Sequence, residues 1–67
     1  MTNNEITFKA RQEFGHAEAL ISSHLEQMEG ADDELLLHHL TRIIATAHKL
    51  ASDMVYLQGE IIEGGRR

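Results

Sequence analysis

The chain has 67 residues, no cysteine, no proline and a formal net charge of −5 from eleven acids against six bases. That length allows one domain, residues 1–67, and a chain so short buries only about 60% of the surface its unfolded form exposes. With disulfides and thiolate metal sites both excluded, oligomerisation is the expected route to stability.

The N-terminus, Met1-Thr2-Asn3-Asn4-Glu5, has no basic cluster followed by an apolar run, so no secretory signal is expected. Thr2 to Glu5 reads as a capping box, while Thr7 competes as a later cap. Ile6, Phe8 and Ala10 alternate, which leaves an extended reading of residues 5–9 open; if that stretch is helical, Phe8 points away from the seam. The first predicted helix covers about residues 5–29, with Ala10, Phe14, Ala17, Ile21, His24 and Met28 as its seam, Leu25 beside it and Leu20 further round.

Residues 30–32 are the predicted turn. Gly30 suits the left-handed position past a helix end. Asp32 or Asp33 caps the next helix, and Glu34 places negative charge at the positive end of its dipole. Two helices joined by so few residues must run antiparallel.

The second predicted helix covers about residues 33–63. Leu36, Leu40, Ile43, Ala47, Leu50, Met54, Leu57 and Ile61 alternate spacings of four and three, an apolar heptad seam. Such a seam implies left-handed packing at roughly +20°. A second stripe, Leu37, Ile44, Ala51, Val55 and Ile62, runs alongside. A seam contacts one partner helix; a seam with a flanking stripe serves two. The expected fold is therefore all-α, an antiparallel helical hairpin dimerising into a four-helix bundle, with those five residues at the dimer interface. The alternative is a monomer whose first helix lies obliquely over both stripes. Gly59 weakens the last turns, and Gly64-Gly65-Arg66-Arg67 reads as a frayed tail. The longest apolar run, Leu35-Leu36-Leu37, is far short of the roughly 20 residues that span a bilayer, so a soluble, cytoplasmic protein is expected.

Chemistry finds little purchase. Glu13 and His16 have the Glu-x-x-His spacing of di-iron bundles, but with Phe14 and Ala17 defining the inward face they point sideways or out. No metal and no cofactor is expected. His24 falls on the seam and reads as structural, either a buried histidine bonded to a partner or one at the frayed edge of the core near the turn; His38 and His39 flank the seam near the same turn, and His48 lies outward. Ser22, Ser23 and Ser52 have no base at helical spacing, and Gly64-Gly65 precedes no helix, so neither nucleophilic catalysis nor a phosphate loop is indicated. The expectation is a non-enzyme.

What remains is surface. Tyr56 lies on the polar side of the second helix, near Ala45, Ser52 and His38 in projection. Phe8 shares a side of the first helix with Arg11, Gly15 and Ala19. Phe8, Arg11, His38, Arg42 and Tyr56 are the expected protein-binding residues, aromatic and arginine side chains being the usual anchors of interfaces. The acids Glu26, Glu29, Asp32, Asp33 and Glu34 cluster at the turn, where they either form a solvated tip or steer a basic partner.

In size, turn position and the Leu36 to Ile61 heptads, the chain resembles small phage- and plasmid-encoded helical hairpins that dimerise into four-helix bundles. These include phage proteins that bind and disable host regulators, a quorum-sensing anti-activator among them, and a plasmid copy-control protein that holds two RNA loops. The resemblance implies a homodimer that docks on a host protein such as a DNA-binding transcription regulator and inhibits it, in the host cytoplasm. The RNA-binding alternative needs a basic stripe, yet Lys9 and Arg11 are interrupted by Glu13 and Glu18. A component of a larger phage or plasmid assembly is the remaining alternative.

Overall fold

A computed structural model describes residues 1–65 as two helices, α1 (Asn3–Gln27) and α2 (Asp33–Gly65), packed against each other as a hairpin. Arg66 and Arg67, part of the expected frayed tail, lie outside the described residues; helix continues through Gly64 and Gly65.

Helix α1 starts at the earlier of its two candidate caps. Thr2 has extended backbone, and its hydroxyl oxygen accepts from the Glu5 N–H at 3.2 Å. The same hydroxyl donates to the Glu5 carboxylate at 3.1 Å. Thr7 does not cap; its hydroxyl donates back to the Asn3 carbonyl at 3.0 Å. The extended reading of residues 5–9 is thus corrected: with no strand beside it among the described residues, the stretch satisfies its backbone groups within the helix.

The turn follows from its side chains. The last bonds of α1 tighten, with the Met28 N–H shared between the His24 and Leu25 carbonyls. Gly30 then takes a φ of 73°, a conformation that glycine adopts without steric cost. The Asp32 carboxylate accepts from the Leu35 N–H at 2.9 Å, so Asp32 rather than Asp33 caps α2.

Which faces meet is the main departure from expectation. Leu36, Ile43, Leu50 and Leu57 do face α1, and Met54 is half-buried, but His39, Thr46 and Asp53 join the contact line, from which Leu40 and Ala47 are turned away. Leu40, Ala47 and Ile61 are exposed. On α1, Ile6, Ala10, Glu13, Ala17, His24 and Met28 form the covered line, while Phe14 is exposed. Polar groups meet across the crevice: His24 bonds His39, and Glu13 lies 3.9 Å from Lys49. With His39 on the contact line, α2 is turned by part of the roughly 100° that separates consecutive residues, which leaves Leu40, Ala47 and Ile61 of the heptad seam outward. Thr46 fits this line because its hydroxyl donates to the Arg42 carbonyl at 2.9 Å, which leaves its methyl for packing.

The resulting core is slight. Ala17 and Leu57 are the buried apolar residues, and no large side chain is fully enclosed, among the described residues. The molecule measures 54 × 16 × 7 Å over its Cα atoms, one helix thick. Its accessible surface is 5477 Å² for 7.6 kDa, against about 4,300 Å² for a compact monomer of that mass and about 11,000 Å² for the unfolded chain. Alone, the hairpin hides only about half of its unfolded surface. Among the described residues, no helix is long and apolar enough to cross a membrane.

Candidate functional site

Helical geometry divides the hairpin into two broad faces. In an antiparallel pair seen end-on, one helix winds clockwise and the other anticlockwise. Residues one step after a contact position therefore emerge on one side of both helices, and residues one step before it on the other.

The first side is apolar along α2. On α2 it carries Leu37, Leu40, Ile44, Ala47 and Ala51, each directly following a contact residue, with Val55 and Ile62 continuing the stripe; on α1 it carries Phe14 and Leu25 among the polar Thr7, Arg11, Glu18, Ser22 and Glu29. The five residues expected at a dimer interface, Leu37, Ile44, Ala51, Val55 and Ile62, are all exposed on it, Ile44 by 68%, Leu37 by 66% and Val55 by 64%. Helix α1 thus does not lie across the second stripe, as the oblique-monomer alternative required.

The second side is polar, and a shallow groove runs along it. Two depressions of about 110 and 150 Å³ share Glu13 and Asp53, with Lys9 and Tyr56 toward one end and His16, Leu20 and Lys49 toward the other. Both fall below the roughly 300 Å³ at which ligand pockets begin. Lys49 sits between two carboxylates, 3.2 Å from Asp53 and 3.9 Å from Glu13. Glu13, expected to point sideways or out, is half-covered by this arrangement. The hydrogen bond from Lys49 is the main reason the Asp53 carboxyl titrates below its ordinary range, with Glu13 contributing; hydrogen bonding to Asp53 raises the Lys49 ammonium in turn. Hydrogen bonding to Glu60, with that residue's charge, raises the Tyr56 phenol.

The five expected protein-binding residues do not form one patch. His38, Arg42 and Tyr56 each precede a contact residue of α2 and so share the polar side. His38 and Tyr56 lie eighteen residues apart on it, about 27 Å along the helix. Arg11 follows Ala10 and belongs to the apolar side. Phe8, 67% exposed, lies on the back of α1, nearly opposite its contact line.

The crevice near the turn holds a cluster of three imidazoles. His24 and His39 approach Nδ1 to Nδ1 at 2.9 Å, so one ring donates its N–H to the other's bare nitrogen. Their ring centres are 5.1 Å apart, and His38 meets His39 edge-on at 5.2 Å. His39 is only 6% exposed. Burial, then the neighbouring His24 and His38, push its pKa down from the usual 6.5. Of the two readings of His24, the bonded one holds, with His39 as a partner that the sequence reading does not name. The signal was present: His24 lies six residues before Gly30 and His39 seven after Asp32, positions that an antiparallel hairpin sets opposite. No group of three or more metal-binding side chains with suitable geometry occurs among the described residues.

No protein-family model, curated protein or solved structure matches the chain.

Proposed function

We propose that the chain is a non-enzymatic homodimeric protein-interaction module. Two hairpins close their apolar faces into a four-helix bundle, and the surfaces left outside dock on another protein. The observation that carries this reading is the apolar stripe of α2 bearing Leu37, Ile44 and Val55, each about two-thirds exposed. Soluble proteins rarely leave so extended an apolar patch uncovered. The hairpin also exposes about 1,200 Å² more than a compact monomer of its mass, comfortably above the roughly 800 Å² each partner buries in a standard interface. Sedimentation equilibrium of the full chain tests the pairing: a dimer is expected, and a monomer at 100 µM would refute it.

The finer reading is an inhibitor that docks on a host DNA-binding regulator, in the manner of the phage proteins that the hairpin resembles. Its support is electrostatic. Glu26, Glu29, Asp32, Asp33 and Glu34 are all exposed at the turn, and none of them forms an ion pair among the described residues. An unneutralised acidic tip complements the basic surface that a regulator presents to DNA. On the polar side, by contrast, Lys49 is engaged by Asp53 and Glu13, which weakens any claim to an RNA-binding stripe.

A further inference from the structure

We infer that His24 and His39 form an acid-sensitive latch, fastening the turn end of the hairpin when they share one proton and releasing it when both rings are charged. The geometry requires at least one bare nitrogen: a 2.9 Å Nδ1 to Nδ1 contact holds one hydrogen, not two. A second proton would set two N–H donors and two positive charges face to face in a mostly covered crevice.

The groups around the pair offer that second charge no relief. On α2, His38 meets His39 edge-on, and Arg42 follows within one turn on the same side as His38. On α1, the positions flanking His24 along the crevice are Ile21, Gln27 and Met28, none of them ionisable. The carboxylates of the tip are exposed, and none is ion-paired with either ring. Their pull on a proton acts through solvent and is screened by salt.

The sign of the pH dependence follows from His39. Its folded pKa lies below the unfolded value of 6.5, so the latch contributes fully above that pH. Its contribution is lost as pH falls from there toward the lower folded value, where the unfolded chain binds protons that the folded one refuses. Within that window, each pH unit multiplies the opening equilibrium by about ten for every proton so excluded.

The test is amide hydrogen exchange with histidine ring NMR on the full chain between pH 8 and 5, the oligomeric state being followed by light scattering. Corrected for intrinsic exchange, the opening of amides near residues 21–25 and 36–40 should increase on the order of tenfold per pH unit below the onset. His39→Gln keeps a hydrogen-bonding partner for His24 and removes one titrating ring, so it should flatten that response. His38→Gln should retain most of it. An equal acid response in wild type and His39→Gln would overturn the latch. Should His39→Gln fail to fold, the wild-type titration decides alone: the latch stands if opening accompanies the second protonation, and falls if both rings charge with protection unchanged.

Discussion

The two sides of the hairpin are built on the same pair of helices and are open to solvent to similar degrees, yet they differ in what they leave unfinished. On the polar side Lys49 is satisfied locally by two carboxylates. On the apolar side Leu37, Ile44 and Val55 meet nothing of their own chain that covers them. Exposure alone therefore says little about a surface. What matters is whether water is an adequate partner for the groups displayed, and for a row of branched aliphatic side chains it is not.

The sharpest way to break this contrast is a charge on the apolar side. Ile44→Glu should abolish self-association and remove the concentration dependence of melting, measured by sedimentation and circular dichroism. Arg42→Glu, on the polar side, should leave assembly intact. Next in size is Leu57→Ala, which truncates one of the few buried side chains and should cost about 2–4 kcal/mol in urea unfolding. Asp32→Ala removes the cap of α2 and should cost about 1 kcal/mol; acting equally on both sides, it calibrates the hairpin without touching either surface. In the opposite direction, Gly59→Ala should stabilise by up to about 1 kcal/mol, since a Cβ there meets nothing within 4 Å. The smallest effect belongs to Lys49→Met, whose largely exposed ion pairs should be worth nothing measurable in a melting curve near neutral pH. Because Asp53 titrates below its ordinary 3.8, whatever its pairing contributes is complete above that pH and vanishes as pH falls through the lower folded value. That window is well separated from the histidine one.

The hairpin was legible in the sequence because its signals are local. Gly30, Asp32 and the run of apolar spacings each act within a few residues, and each lies where its chemistry demands. The rotation of α2 was not legible. Heptad spacing counts Leu40 and His39 as alternatives one step apart, and hydropathy alone selects Leu40. What sets His39 apart is a partner on the other helix, His24, whose bond exists only after the chain has folded back. For the same reason heptad spacing places Phe14 inward, whereas the crevice accommodates Glu13 beside it. Of the expected binding residues, His38, Arg42 and Tyr56 share a side as projection along one helix implies, while Arg11 and Phe8 depend on how α1 is turned.

A body only one helix thick, 7 Å across its shortest dimension, has no interior to retreat to. Under the proposed pairing, its folded lifetime becomes a matter of dosage. Obligate dimers hold together only in proportion to how many copies are present. A few molecules per cell would spend much of their time open to proteases, and a burst of synthesis would carry the population past a threshold into durable complexes. Such a chain counts itself before it acts.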